Sequence, residues 1–202
     1  MSYFRSIPGG RHAGLSEGEL WDLFRKGEKE AFDLIYHNYV HLLYNYGIRI
    51  SSDTVLVEDG IQDLFVEIWQ KRATLGATGS IKYYLFKSLR RKISRKVLRE
   101  TRFYHKLLNR SGVDFELSPE QTLLDGESFE QQRRNLFSAL NSLPRRQKEA
   151  VFLKYFEGLP YAEIASIMGI QAGAVYKLVC KAISVLRKKY PRGYFINTLL
   201  FL

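Results

Sequence analysis

Apolar side chains recur at helical spacing along most of the 202-residue chain. Ser16 followed by Glu19 is a capping-box signature and Gly27 marks a stop, so a short helix is predicted over 17–26, with Leu20, Leu23 and Phe24 inward. Residues 28–49 repeat the pattern, with Phe32, Ile35, Tyr36, Tyr39, Leu42, Leu43 and Tyr46 as one stripe. Ser51, Ser52 and Asp53 read as a break and a new cap before a third helix over 55–72. Gly76-Ala77-Thr78-Gly79-Ser80 is a loop. Ser80 caps a long helix over 81–98, and the pattern lets that helix run on to Leu108. Periodicity fades over 111–128, where Gly112, Pro119 and Gly126 fall, and this segment reads as a linker. Helix returns over 128–142, Pro144 restarts it, and Gln147 to Tyr155 forms another before Gly158 and Pro160 break the chain.

The stretch 161–186 carries the densest local signal. Ile164, Ala165 and Met168 give one helix an apolar face, and Gly169 suits the left-handed residue that ends a helix and turns the chain. A second helix follows with Val175, Leu178, Val179, Ala182 and Leu186 inward, and Tyr176, Lys177, Cys180, Lys181 and Ser184 outward. An inward apolar stripe with a basic and aromatic outward stripe is what a helix lying in a major groove needs. Pro191 and Gly193 stop it, and no strand alternation persists anywhere. The expected fold is all-α: two small helical domains joined by a flexible acidic linker, the second with a helix-turn-helix. The expected boundaries are a loose N-terminal tail over 1–15, a first domain over 16–108, the linker over 109–130, a second domain over 131–190 and an apolar tail over 191–202. Phe195, Ile196 and Leu199 to Leu202 make that tail apolar, too short to span a bilayer and expected to pack on the second domain.

Charge changes the picture more than composition does. The net charge of +10 favours a polyanionic partner, nucleic acid first. Its layout is in blocks: 8 basic and 11 acidic residues over 1–81, 11 and one over 82–110, none and 6 over 111–130, and 12 and 3 over 131–202. A hydrophobic content of 46% is enough for packed cores. One cysteine excludes an internal disulfide framework and points to a reducing cytoplasm. No apolar run reaches about 18 residues, and no secretory signal opens the chain, so no direct membrane insertion is expected.

Enzymatic readings fail on inventory. His12, His37, His41 and His105 lack ligand-like partners, no glycine-rich phosphate loop is present, and Cys180 has no histidine near it in sequence. No metal, cofactor or catalytic group is expected. A nuclease needs clustered carboxylates, whereas those of 53–67 lie along one helix.

Two constellations point to binding instead. On the third helix Ile61, Phe65 and Ile68 share one face, and Asp59, Gln62, Asp63, Val66 and Gln70 share another, with Trp69 between them. An apolar back with an acidic, amide-bearing front suits docking onto a partner helix. On the fourth, Lys82, Lys87, Arg90, Arg91, Lys92, Arg95, Lys96 and Arg99 can neutralise phosphates. The interleaved Tyr83, Tyr84 and Phe86 offer faces for unstacked bases. Leu85 and Phe86 read as core, and Tyr83 is open between core and base contact.

Asp59, Gln62, Phe65 and Trp69, at spacings of three, three and four, resemble the signature by which sigma factors of bacterial RNA polymerase grip the clamp helices of the largest subunit. Ile81 to Arg91 resembles the helix of the same domain that reads the minus-ten element. Ser118-Pro119-Glu120-Gln121 and Leu143-Pro144-Arg145-Arg146-Gln147 are similar to connector and second-domain motifs, and Tyr161 to Leu186 to the minus-thirty-five reader. The resemblance covers about residues 17–190 and is to the small, two-domain extracytoplasmic-function (group IV) sigma factors of the sigma-seventy superfamily.

That resemblance implies a cytoplasmic promoter-specificity subunit with no catalysis of its own. Its implied partners are core RNA polymerase (clamp helices of the largest subunit, flap of the second-largest), promoter DNA and, as for many of its members, an anti-sigma factor. It implies polymerase contacts at Asp59, Gln62, Asp63, Val66 and Trp69. Minus-ten contacts fall on Tyr83, Lys87, Arg90, Arg91, Arg95 and Lys96, with a base flipped beside loop 76–80. Minus-thirty-five contacts fall on Ala172, Gly173, Tyr176, Lys177, Cys180, Lys181 and Arg145. The acidic linker resembles a segment that threads toward the polymerase active-site channel. Two departures stand out: Arg91 where the family often has Asn, and Gln171-Ala172-Gly173-Ala174 where it usually offers Ser and Thr. The alternative reading is a stand-alone helix-turn-helix regulator with an N-terminal dimerisation or sensing module.

Overall fold

The computed structural model describes residues 14–103 and 137–189, which are helical with no strand among them. The chain divides into two units, Met1–Asn109 and Arg110–Leu202. The expected tail before residue 14, the run of the fourth helix beyond Phe103, the linker with its Ser118-Pro119-Glu120-Gln121 motif, the helix start near Ser128, the apolar tail, His12 and His105 lie outside the described residues.

In the first unit α1 spans Glu17–Arg25. The capping box is complete: Ser16 Oγ accepts from Glu19 N, and the Glu19 carboxylate accepts from Ser16 N at 2.8 Å. The bonds that the Glu19 carboxylate accepts from Ser16 N and from Ser16 Oγ, the latter also at 2.8 Å, hold it below its ordinary value. Gly27 follows the helix at φ +96°, a left-handed conformation that favours glycine. α2 spans Lys29–Ile50 and α3 spans Thr54–Lys71. Asp53 caps α3 by accepting from Leu56 N at 3.0 Å. A tight turn over Arg72–Thr74 leads through loop 75–80 into α4, Ile81–Phe103. Ser80 Oγ accepts from Tyr83 N at 3.2 Å, the cap expected at that position.

Helices α2, α3 and α4 pack against one another, and α1 lies across α2, the Arg72–Thr74 turn and the start of α4. Ile35, Leu43, Tyr46, Leu64, Ile68, Leu85, Phe86 and Leu89 fill the centre. Two assignments of α1 and α2 are corrected here. Trp21, not Leu23, is the fully buried neighbour of Leu20 and Phe24: contacts with both α2 and α4 turn the buried face of α1 toward the Trp21 side. Tyr36 is 40% exposed, because α3 covers only one flank of the apolar face of α2.

In the second unit α5 is described over 137–141. α6, Arg145–Val151, passes directly into a wider π turn, Phe152–Phe156. It starts earlier than Gln147 because the Pro144 carbonyl receives the first helical bonds, from Gln147 N at 2.8 Å and Lys148 N at 3.0 Å. α7, Tyr161–Met168, and α8, Ala172–Lys189, form the helix-turn-helix. Gly169 sits at φ +63°, the left-handed cap expected of it. Val175, Val179, Ala182 and Leu186 of α8 are buried with Ile164, Ile167 and Met168 of α7, and Leu178 is half-buried. No single described helix is long and apolar enough to cross a membrane; α7 and α8 pass by length and composition only as a pair bent by 100°.

Candidate functional site

The outward face of α3 is where the sequence placed it. Asp59, Gln62, Asp63 and Gln70 are exposed, Val66 is 49% exposed, and Ile61, Phe65 and Ile68 are buried. Trp69 sits between, half-buried. Its ring lies 5.0 Å from Phe32 and 6.4 Å from Phe24, and the Arg72 guanidinium stands 4.4 Å over it. Arg72 Nη1 also donates to the Trp69 carbonyl at 2.7 Å. A cation above the ring and two aromatics beside it hold the indole in one orientation.

Alongside runs a row from α2 that the sequence reading did not assign to any site. Phe32, Tyr36 and Val40 face Phe65, Val66 and Trp69 across an open groove of about 880 Å³. Its rim is polar: Lys29, Asp33, Glu58, Gln62 and Gln70. The signal was present, since Phe32, Tyr36 and Val40 repeat every four residues beside the buried Ile35, Tyr39 and Leu43. Two adjacent apolar rows are more than one neighbouring helix covers. Of the five α3 residues implied as polymerase contacts, Gln62, Val66 and Trp69 line this groove, while Asp59 and Asp63 do not.

Asp63 points instead toward α4, where its carboxylate meets Lys96 Nζ at 3.0 Å. Glu67, one turn on, accepts from Lys71 Nζ at 2.7 Å and Lys92 Nζ at 2.5 Å. Lys92 and Lys96, two cations assigned to phosphates on sequence, are therefore in ion pairs with α3, and the acidic and basic faces meet along one seam. The hydrogen bonds from Lys71 and then Lys92 lower the Glu67 carboxyl from 4.5 to about 2. A depressed folded-state value contributes stability that is fully present above the unfolded value and is lost as pH falls through the folded one. The Glu67 side chain is 42% exposed, so solvent screens much of this. Glu67→Gln should therefore be slightly less stable than the unsubstituted chain at neutral pH. Chemical denaturation in steps from pH 5 down to 2 should show the gap closing. A gap independent of pH would assign the effect to packing.

The rest of α4 presents two kinds of surface. Leu85 and Phe86 are fully buried, as the sequence suggested, with Phe86 stacked on Tyr46 at 4.8 Å. Tyr83 is half-buried, and its hydroxyl accepts from Lys87 Nζ at 2.9 Å, which also lies 5.3 Å from the ring centroid. Arg91 and Arg95 are exposed and Arg90 is half-buried. Tyr84 packs 5.0 Å from Trp21, and burial raises its hydroxyl above the ordinary value.

In the second unit Tyr176 (57% exposed), Lys177, Cys180 and Lys181 stand on one open face of α8, with Ala172 and Gly173 exposed at its start. The ring of Tyr176 meets Tyr161 edge-on at 5.9 Å, and Lys154 Nζ lies 4.8 Å over Tyr161. A hydrogen bond with Cys180 raises the Tyr176 phenol above its ordinary value. Tyr161, Tyr176 and Cys180 border a recess of about 570 Å³ that Arg187 and Lys188 also line. Arg145 and Arg146 are exposed at the start of α6. His37 Nδ1 donates to the Asp33 carbonyl at 2.7 Å, and no cluster of three or more potential metal ligands occurs among the described residues.

Comparison with known proteins accounts for both units. Residues 35–103 match the family model described as Sigma-70 region 2, and residues 133–186 match Sigma-70, region 4. The ECF RNA polymerase sigma factor BldN of Streptomyces coelicolor is 26% identical over 176 residues, 86% of this chain and 65% of that protein. The chain thus spans about two thirds of that relative's length. The ECF RNA polymerase sigma factor SigL of Mycobacterium tuberculosis is 26% identical over 155 residues, 76% of this chain and 85% of that protein. Among solved structures, the sigma factor RpoE of Bartonella quintana, in complex with the anti-sigma factor NepR, superposes with a TM-score of 0.61 at 21% identity. That match covers 81% of this chain and 99% of the other. CnrH, in complex with the cytosolic domain of CnrY, gives 0.55 at 18% identity, covering 84% and 94%.

Proposed function

The chain belongs to the extracytoplasmic-function group of the sigma-70 family of RNA polymerase sigma factors, and from that premise we propose how its surfaces divide the work of promoter-specific transcription initiation. The first lobe, over 16–108, docks on core polymerase through the α2–α3 groove and opens the minus-ten region with α4. The second lobe, over 131–190, reads the minus-thirty-five duplex with α8. The chain acts in the cytoplasm as a specificity subunit and leaves catalysis to polymerase.

One observation carries this reading: a single three-helix bundle exposes an apolar, acid-rimmed groove and, on the neighbouring helix, a basic aromatic face. A protein helix fits the first and a phosphate backbone the second. Gln62, Val66 and Trp69 are assigned to the polymerase contact inside the groove, Asp59 and Asp63 to its flank. Tyr83, Lys87, Arg90, Arg91, Arg95 and Lys96 are assigned to the opened minus-ten strand. Lys96 exchanges Asp63 for phosphate.

On α8, Tyr176, Lys177, Cys180 and Lys181 face the groove of the minus-thirty-five duplex, with the backbone at Ala172 and Gly173 on a phosphate and Arg145 on a flanking one. An anti-sigma partner is proposed by analogy with RpoE, whose structure holds NepR. A stand-alone regulator leaves the region 2 match and the groove without a role.

Mixing the full chain with sigma-free core polymerase should give co-migration and run-off transcripts from genomic promoter fragments. Absence of both sinks the reading. Within the active holoenzyme, Lys177→Ala or Lys181→Ala should weaken minus-thirty-five binding and reduce the salt slope by about one each for a lost phosphate contact. An unchanged slope with altered base preference would move that lysine onto a base edge.

A further inference from the structure

Helix α1 lies outside the residues matched as region 2, which begin at 35. Two of its side chains nevertheless reach across the lobe to the same loop. Trp21 Nε1 donates to the Gly76 carbonyl at 2.9 Å, and Glu17 Oε2 accepts from Ile81 N at 2.7 Å. Glu17 and Trp21 are four apart and therefore share one face of α1. Gly76 and Ile81 bracket the loop that precedes α4. One helix face thus holds both ends of one loop.

The loop needs such a hold. Gly76 and Gly79 would meet nothing within 4 Å even with a Cβ added, and Gly76, Ala77 and Gly79 are exposed. A glycine-bearing segment without side-chain packing samples many conformations unless its backbone is tied. Within the loop the ties are short-range: Ser80 N donates to Thr78 Oγ1 at 3.2 Å, and Thr78 Oγ1 donates to Ser80 O at 3.1 Å. The bonds to the flanking elements are local as well, Leu75 N to the Arg72 carbonyl and Tyr83 N to Ser80 Oγ, whereas the α1 bonds tie the loop near both ends to a helix 55 and 64 residues away in sequence.

The two anchors are themselves held. Trp21 is fully buried, with its ring 4.9 Å from Phe24 and 5.0 Å from Tyr84. Tyr39, also buried, donates its hydroxyl to Glu17 Oε1 at 3.0 Å. The Glu17 carboxylate therefore sits between a phenol of α2 and the first-turn amide of α4, where its negative charge also suits the helix dipole.

We infer that Glu17 and Trp21 are positioning residues that set the conformation of loop 75–80, and through it the base preference of the single-stranded minus-ten contact. This rests on the assignment of that contact to the first lobe. The residues do not touch DNA; they decide where the loop backbone stands when an unstacked base arrives.

The test uses holoenzyme made with the full chain and the variants Trp21→Phe and Glu17→Gln. Phenylalanine keeps an aromatic ring against Phe24 and Tyr84 and loses only the N–H. Glutamine keeps one acceptor oxygen and loses the charge and the second. The probes are short single-stranded oligonucleotides carrying the non-template minus-ten segment of a promoter selected by the unsubstituted holoenzyme, with each of the four bases placed in turn at every position.

Each variant is expected to lower base discrimination at one or two positions by about fivefold, the loss of one intramolecular hydrogen bond. Polymerase affinity should stay within about twofold, as for a change away from an interface. A merely structural role would not flatten preference at particular positions. Equal weakening on all oligonucleotides, in step with a lower melting temperature, overturns the inference. So does a discrimination profile that both variants leave intact. If the unsubstituted holoenzyme itself shows no base preference in this segment, the assignment of the lobe to minus-ten recognition fails, and the inference with it.

Discussion

Trp69→Ala is expected to weaken binding of the chain to core RNA polymerase by about thirtyfold or more, the cost of truncating a buried aromatic anchor at the centre of an interface. Trp69 has the attributes of such an anchor. It lines the α2–α3 groove, and Phe24, Phe32 and the Arg72 guanidinium already hold its ring in place. Little rotamer entropy is then left to lose on docking.

The same packing creates an ambiguity, because alanine also removes contacts within the lobe. Val66→Asp resolves it. Val66 lines the same groove and is 49% exposed, so an aspartate there costs the folded lobe little while placing a charge where an apolar surface must be buried. Both variants should lose polymerase in a co-migration or competition assay, with only Trp69→Ala lowering the melting temperature. Both should leave the second lobe's contact with duplex DNA unchanged. Normal polymerase binding by Val66→Asp would move the interface off the groove.

Gly47→Ala is expected to destabilise the first lobe by about 1–3 kcal/mol, the usual cost of overpacking a core. A Cβ at Gly47 would stand 2.4 Å from Val57 Cγ1 and 3.5 Å from Ile93 Cδ1, at the point where α2, α3 and α4 meet. Alanine's helix propensity returns at most about 1 kcal/mol. Valine is stiff at χ1, so the clash is relieved only by moving a helix. Gly60→Ala, in α3, is the control. Its Cβ would find Ile93 and Leu89 at 3.5 and 3.6 Å, ordinary contact distances, so it should be neutral or stabilising. Thermal unfolding should therefore separate two identical substitutions in opposite directions, by about 4–8 °C per kcal/mol for a lobe of this size. A melting temperature for Gly47→Ala at or above that of the unsubstituted chain would show that the helices have room to part. Adding Val57→Ala to Gly47→Ala should recover part of the loss, since neighbours in contact couple.

The match between pattern and structure is uneven in an instructive way. α8 was legible in detail: Val175, Val179, Ala182 and Leu186 are buried and Tyr176, Lys177, Cys180 and Lys181 exposed. A surface helix with one covered face writes its orientation into a 3.6-residue period. α1 and α2 were less so. Trp21 is hidden because contacts with both α2 and α4 turn the buried face of α1 toward it, and Tyr36 is exposed because its flank of α2 has no neighbour. Periodicity reports that a face is apolar, not how many helices cover it. For the same reason the α3 half of the groove was named in advance and the α2 half was not.

What the sequence determined by itself is local. The Ser16–Glu19 capping box, the Asp53 cap, the left-handed turn at Gly169 and the inward stripe of α8 each depend on residues within about three turns of one another, where helix geometry sets the spacing. The order of the motifs along the chain likewise sufficed to identify the family. Only the tertiary structure decided which surfaces meet. It brought Asp63 to Lys96 and Glu67 to Lys92 across two helices, pairing part of the basic face with the acidic face of α3 along a partly exposed seam. It also brought Trp21 to Gly76 and Glu17 to Ile81, separations of 55 and 64 residues. Such pairs depend on where helices cross and how they are rotated about their axes. That is set by the fit of all the buried side chains together, and no short window of sequence contains it.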